Sequence, residues 1–357
     1  MNHLTLTQSA LFPSRYPPYL IFFVTSRCNM KCKHCFYWQE LSSDRNELSL
    51  DEIERISKSL PELFFLRITG GEPFLRTDLY QIIKLFYENS AIRRIGISTN
   101  GFEVNKIIEI TDQIVGGLKN LSFELGISID DLYEKHDKIR ACRGAFNNAM
   151  KTYEGLAKIR EKNKNFNLGF LITMMKDNQD YLEEIFEYLK GKQPDTIGLN
   201  MIRGTPKCID EMITDVAKYK HFADLLNRYN MRTVRPFIEK MRFTKSEKSQ
   251  DIIIKTLQNN RIQIPCLAGE KIAVLYPNGN VSACELLDST IGNIRDYNCN
   301  FQQLWKAKRR KEITVRIKKE KCFCTHECFI TASLIFRIKA LLQMFLTVCL
   351  RLILRRD

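Results

Sequence analysis

Tyr19-Leu20-Ile21-Phe22-Phe23-Val24 leads straight into Thr25-Ser26-Arg27-Cys28-Asn29-Met30-Lys31-Cys32-Lys33-His34-Cys35. The apolar run has the length and composition of a buried strand. The loop behind it carries three cysteines at the spacing C-x3-C-x2-C. Three thiolates on one tight loop can each hold one iron of a 4Fe-4S cube, and no fourth cysteine closes it, so one iron keeps an open position. A Cys3His zinc knot that includes His34 and a group of buried free thiols are the alternatives. Structural zinc wants a closed set of four ligands, and free core cysteines are more often scattered than gathered on one loop.

Outward from this stretch, short β-rich runs alternate with longer amphipathic stretches as far as Arg235, the pattern of a parallel sheet with crossover helices. The expected strands are Tyr19 to Val24, Phe65 to Thr69, Ile92 to Ser98, Leu121 to Ser128, Asn167 to Thr173 and Thr196 to Met201. Ser49 to Leu60 reads as a helix, with Asp51 and Glu52 in its first turn to suit the helix dipole. The second strand ends in Gly70-Gly71-Glu72-Pro73, where two glycines let the backbone pass close to a neighbour and Pro73 fixes the exit. The third and fourth end in the polar clusters Ser98-Thr99-Asn100-Gly101 and Ser128-Ile129-Asp130, able to bind ribose and amino-acid groups. The sixth runs into Arg203, whose planar fork suits a carboxylate or phosphate; an ion pair closing the barrel is the other reading.

These motifs resemble the radical S-adenosylmethionine (SAM) superfamily. The resemblance implies an α/β fold, a partial (β/α)6 barrel with its chemistry at the C-terminal strand ends. It implies a 4Fe-4S cluster on Cys28, Cys32 and Cys35 whose open iron chelates SAM. Reductive cleavage of SAM then yields a 5'-deoxyadenosyl radical that abstracts hydrogen from a substrate. By the same resemblance Gly70, Gly71 and Glu72 meet the methionine ammonium. Ser98 and Asn100 belong to the cofactor site, and Ser128 and Arg140 contact the SAM ribose or carboxylate. Asp130 lies near the reactive carbon, with Arg203 as a second catalytic candidate.

A second cysteine set follows. Cys266 and Cys284 flank a hairpin whose turn falls at Pro277 to Asn280, in the pattern C-x12-G-x4-C, and Cys322, Cys324 and Cys328 come later. Such a set can enclose an iron-sulfur cluster with four protein ligands, and zinc is the rival occupant. The pattern resembles the SPASM and Twitch extensions of radical SAM enzymes. Five cysteines stand closer to the Twitch form, with one auxiliary 4Fe-4S cluster that assists substrate oxidation. The resemblance points to Cys266, Cys284, Cys324 and Cys328 as ligands, with Cys322 competing for the third place. Cys142, Cys208, Cys299 and Cys349 are expected as free thiols.

The chain has 357 residues, and its 44% hydrophobic content suffices for a sizeable core. Of the net charge of +14, residues 306–357 supply +10, from fourteen Lys and Arg against four Asp and Glu, so the basicity is local. No segment reads as a secretory signal, so the twelve cysteines are expected to bind metal in a reducing, cytoplasmic setting. The apolar stretch from Phe329 to Asp357 is too interrupted by Lys and Arg to span a bilayer. It reads as an interfacial helix on an anionic membrane or as a helix packed on the protein.

The expected division is an N-terminal extension (1–17), the barrel (18–235), a bridging segment (236–265), an auxiliary cluster domain (266–330) and a basic amphipathic tail (331–357). The expected substrate is a peptide or a sugar or glycan-lipid precursor, with a reducing donor such as flavodoxin or ferredoxin. Nucleic acid is not expected, since no recognised reading module accompanies the charge. The reading from a different class is a non-catalytic iron-sulfur protein for electron transfer or scaffolding, which needs neither a SAM pocket nor an open iron.

Overall fold

Parallel pairing governs the architecture of the computed structural model, which describes residues 14–42, 46–231 and 237–353. The expected border at Arg235 and the tail's last two arginines, Arg355 and Arg356, lie outside them. Strands β1 (Tyr19–Phe23), β2 (Phe65–Thr69), β3 (Arg94–Thr99), β4 (Ser122–Ser128), β5 (Phe166–Met174) and β6 (Thr196–Met201) run parallel, each beside the next. Between them lie helices α1 (Leu50–Lys58), α2 (Leu79–Asn89), α3 (Val104–Gly117), the successive α4 (Tyr133–Arg140) and α5 (Ala145–Lys162), and α6 (Leu182–Gly191). The six β/α units match the sequence reading. The third strand starts two residues later than expected, because its ladder with β4 opens at Arg94↔Ser122 while the fully buried Ile92 packs ahead of it.

Two-residue periodicity decides what faces the lumen. In β2, Leu66 and Ile68 are fully buried, whereas Arg67 and Thr69 on the opposite face remain partly exposed. Helix α1 begins with a reciprocal cap: the Glu52 backbone N–H donates to Ser49 Oγ and the Ser49 N–H donates to Glu52 Oε2.

Beyond the barrel come α7 (Val216–Met231), α8 (Phe237–Asn259), β7 (Ile272–Leu275), β8 (Asn280–Ser282), β9 (Thr290–Asn293), α9 (Phe301–Leu304), α10 (Lys308–Lys319), α11 (Glu327–Ile335) and α12 (Ile338–Ile353). The hairpin expected between Cys266 and Cys284 is β7–β8, and its turn uses Gly279 at φ +86°. Rather than standing apart, β7 pairs in parallel with β1 at Tyr19↔Ile272. One nine-stranded sheet therefore runs β6-β5-β4-β3-β2-β1-β7-β8-β9. The expected auxiliary segment is joined to the barrel through its sheet.

The tail is not a detached helix. In α12, Ala340, Met344 and Val348 are buried, and Arg351 makes a two-pronged ion pair to Glu247 of α8 at 2.7 and 3.2 Å. Leu342, Leu346 and Leu350 stay exposed on the other face. Among the described residues no single helix is long and apolar enough to cross a membrane; α11 and α12 pass that test only as a pair bent by 87°.

Candidate functional site

A pocket of 210 Å³ opens at the C-terminal ends of the barrel strands, and the expected cofactor residues meet there. Cys28, Cys32 and Cys35 form one wall, with Gly70, Gly71, Glu72, Ser98, Asn100, Ser128, Arg140 and Arg203 around them. Asp130 is the one expected residue that does not line it.

The glycine pair is required by a close backbone approach. The Gly71 N–H donates to the Thr25 carbonyl (2.9 Å) and the Glu72 N–H to the Arg27 carbonyl (2.8 Å), tying the end of β2 to the cysteine loop. A methyl at Gly70 would stand 2.3 Å from the Thr25 oxygen, and one at Gly71 would stand 2.1 Å from the Arg27 oxygen. Gly70 also sits at φ +135°, which side chains disfavour. On its other side the loop is anchored to α4 through Lys33 N–H donating to Ile139 O (2.9 Å).

Glu72 is 1% exposed and accepts from Thr99 Oγ1 (2.8 Å) and from the backbone N–H groups of Asn100 (2.7 Å) and Phe74 (3.2 Å). Burial nonetheless pushes its carboxyl up to about 7. A ligand ammonium beside it would favour its ionised form.

Asp130, expected beside the reactive carbon, lies behind the pocket. Its carboxylate is fully buried, pairs with Arg140 Nη2 at 2.6 Å and accepts from the Thr173 N–H at 3.0 Å. Burial opposes its charge, but Arg140, and then His34, hold the carboxyl below its ordinary value. In this arrangement Asp130 orients Arg140, whose Nη1 lies 3.9 Å from Cys32 Sγ. His34 also lines the pocket; burial lowers its imidazole to about 4, so it stands neutral near pH 7.

Arg203 makes the ion pair that closes the barrel mouth. Its guanidinium pairs with Glu327 at 3.3 Å and Glu285 at 3.7 Å, and stacks 5.3 Å from the Phe36 ring centroid.

The second cysteine set regroups. Cys266, Cys284, Cys322 and Cys324 line an uncharged hollow of 210 Å³ with Leu286 and Phe329. Cys328, expected among the ligands, is absent from that lining. Being the second residue of α11, it turns into the barrel lumen, where its charged neighbours include Arg67, Glu285 and Arg203. Cys322 and Cys324, expected to compete for one place, both face the hollow. All twelve cysteines are unpaired.

Both donor sets have the thiol chemistry that iron-sulfur clusters take, three cysteines on the first loop and four around the hollow. Burial pushes the thiols of Cys28 and Cys324 up to about 12 and those of Cys35 and Cys266 up to about 11, so metal binding must displace their protons.

The sequence reading missed a larger cavity of 740 Å³ that fills the lumen between the sheet and helices α8, α11 and α12. It shares Phe36, Thr69, Ser98, Leu171, Asn200 and Arg203 with the smaller pocket. Arg67, Arg94 and Glu124 point into it from three neighbouring strands. The signal was present: charged residues at inward positions of otherwise apolar strands, where a filled barrel carries bulky aliphatic groups.

A three-thiol loop with an open side, set at the mouth of a partial parallel barrel against a glycine-cradled polar wall, is the arrangement of enzymes that bind SAM at an iron-sulfur cluster. The Radical SAM superfamily profile matches residues 22–189, so this part of the chain is a Radical SAM domain, with a 4Fe-4S cluster and SAM as its cofactors. The chain is 26% identical over 298 residues to an AdoMet-dependent heme synthase of Oleidesulfovibrio alaskensis, covering 79% of this chain and 73% of that protein. Its fold is similar to that of Streptococcus suis SuiB bound to S-adenosylmethionine, with a TM-score of 0.60, 14% identity and coverage of 82% of this chain and 66% of that one. It is also similar to native anSMEcpe with bound AdoMet and Cp18Cys peptide, with a TM-score of 0.57, 16% identity and coverage of 94% and 97%. The Radical SAM domain removes the non-catalytic reading.

Proposed function

We propose that the protein abstracts hydrogen from a compact substrate held in the barrel lumen. The carrying observation is that the lumen cavity and the cysteine pocket share a wall, including Ser98, Asn200 and Arg203. The cluster and SAM, when bound, supply a 5'-deoxyadenosyl radical. The chain does the positioning. Glu72 and Arg140 offer opposite charges to the amino and carboxylate ends of SAM, while Ser98, Asn100 and Ser128 offer polar contacts between them. Helices α8, α11 and α12 cover the lumen and keep water from a reactive intermediate.

Cys266, Cys284, Cys322 and Cys324 hold an auxiliary 4Fe-4S cluster in a Twitch-like extension, which fits four thiols around an uncharged hollow. With all four positions closed by protein, its role is to accept the electron that oxidation of the substrate radical releases, while a donor such as flavodoxin or ferredoxin supplies the electron for SAM cleavage. The likeness to a heme synthase makes a heme precursor the first substrate to test, with peptides and glycan-lipid precursors next. The exposed leucines of α12 support a peripheral contact with a lipid surface.

The test is anaerobic reconstitution, iron and sulfide counting, and electron paramagnetic resonance, followed by dithionite and SAM with detection of 5'-deoxyadenosine. Two clusters correspond to about eight irons. Absence of 5'-deoxyadenosine from a fully loaded protein would sink the proposal.

A further inference from the structure

The two ends of the lumen cavity differ in charge. At the mouth, Arg203 is paired with Glu285 and Glu327, whose carboxyls burial raises above their ordinary values. At the far end, where the strands begin, Arg67, Arg94 and Lys245 gather around one carboxylate, Glu124. Arg94 pairs with Glu124 at 2.6 Å, and both Arg67 and Lys245 are close enough to feel the same carboxylate. Among the described residues Arg93 and Arg242 line the cavity as well, and Glu124 is the one carboxylate lining this end, so the partly exposed cluster keeps a positive excess that an anionic group would neutralise.

The cations are held in place. The Arg67 and Arg94 guanidiniums each lie 5.3 Å from the Phe65 ring centroid, so one aromatic ring supports both. Gly96 makes room for the first: a methyl there would stand 2.7 Å from Arg67 Nη1. Replacing the aliphatic filling of a barrel core by a braced guanidinium is what a binding site requires. Around this charged end the cavity is apolar, with Ile21, Phe64, Leu341 and Met344 in its wall.

We propose that Arg67, Arg94 and Lys245 bind the anionic group, carboxylate or phosphate, of a small apolar ligand whose body then points along the lumen toward the cysteine pocket. The inference rests on the proposed function in taking this ligand as the substrate. Guanidinium forks recognise either group through paired charge-assisted hydrogen bonds, and a cavity of 740 Å³ has the size of a small-molecule site.

The experiment titrates the reconstituted full-length protein with coproporphyrin III, followed by its Soret band, and with its tetramethyl ester, which keeps the apolar body and removes the charge. Dodecyl phosphate supplies the phosphate arm, read by competition. The same wild-type preparation is assayed for 5'-deoxyadenosine, so a failed enzyme reading shows itself independently of binding. At least one acid should bind more tightly than the ester, and the tighter acid identifies the group. Arg67→Gln, Arg94→Gln and Lys245→Gln should each weaken it by about tenfold. Lys245 lies on a covering helix outside the sheet, so its variant keeps the test open should a strand variant fail to fold. Equal binding of acid and ester, no binding of either acid up to about 100 μM, or wild-type affinity in Lys245→Gln together with any folded arginine variant would overturn the proposal.

Discussion

Replacing Gly71 by alanine tests whether the glycine pair is what seats the cysteine loop. The added methyl would stand 2.1 Å from the Arg27 carbonyl oxygen, and contacts under 3.0 Å essentially never occur, so the two segments must part by at least 0.9 Å. Both atoms belong to backbone, so no side-chain rotation relieves the clash. The separation strains the hydrogen bonds from Gly71 to Thr25 and from Glu72 to Arg27, each worth about 1 kcal/mol net. The expected loss of stability is therefore about 2 kcal/mol, small enough for the protein to remain folded. The functional effect is larger, because a shift of about 1 Å in a reacting geometry can reduce the rate by about 100-fold. Two measurements decide the matter: 5'-deoxyadenosine formation from SAM and dithionite, and iron content after reconstitution. The variant should retain the auxiliary cluster and cleave SAM about 100-fold more slowly. Cleavage at the wild-type rate would refute the argument that this approach positions the cofactor.

Cys322→Ala should lower the reconstituted iron content from about eight toward about four per chain, whereas Cys328→Ala should leave it unchanged; the reverse result would restore Cys328 to the ligand set. Arg140→Leu strands the buried Asp130 carboxylate and should destabilise the fold by about 3–5 kcal/mol, with most of the loss recovered by adding Asp130→Asn; a loss under about 1 kcal/mol in denaturant melts would contradict the pairing. Burial and Arg94 lower the Lys245 ammonium to about 8 from 10.5. Between those values the unfolded chain holds a proton that the folded protein has released, so stability should rise with pH across that window. Lys245→Met should flatten the rise, read as the difference between the two proteins' melting profiles. Should α12 dock on lipid, the protein will sediment with anionic vesicles, and Leu346→Glu in its exposed face will reduce the bound fraction.

The barrel was legible because its signals are local. Strand periodicity, the C-x3-C-x2-C loop and the glycine pair each act over a few residues, and the residues expected to hold the first cluster and SAM line one pocket, while the catalytic candidate Asp130 does not. Asp130 stands off that lining for a specific reason: its position at the end of β4 is visible in sequence, but its partner Arg140 comes from the far end of α4. The auxiliary cysteines show the same limit. Spacing separates Cys322, Cys324 and Cys328 by only a few residues, and it is the start of α11 at Glu327 that turns Cys328 away from the other two.

The sequence by itself determined the unit of fold and the first cofactor site, since both depend on short-range chain geometry and on the donor chemistry of neighbouring residues. Only the tertiary structure decided that β7 joins β1, that the C-terminal helices roof the lumen, and that Arg67, Arg94 and Lys245 converge around one carboxylate. Those meetings bring together residues far apart in the chain, 178 positions from Arg67 to Lys245 and 253 from Tyr19 to Ile272. No local pattern encodes them, because they arise from packing apolar faces that any of several surfaces could have covered.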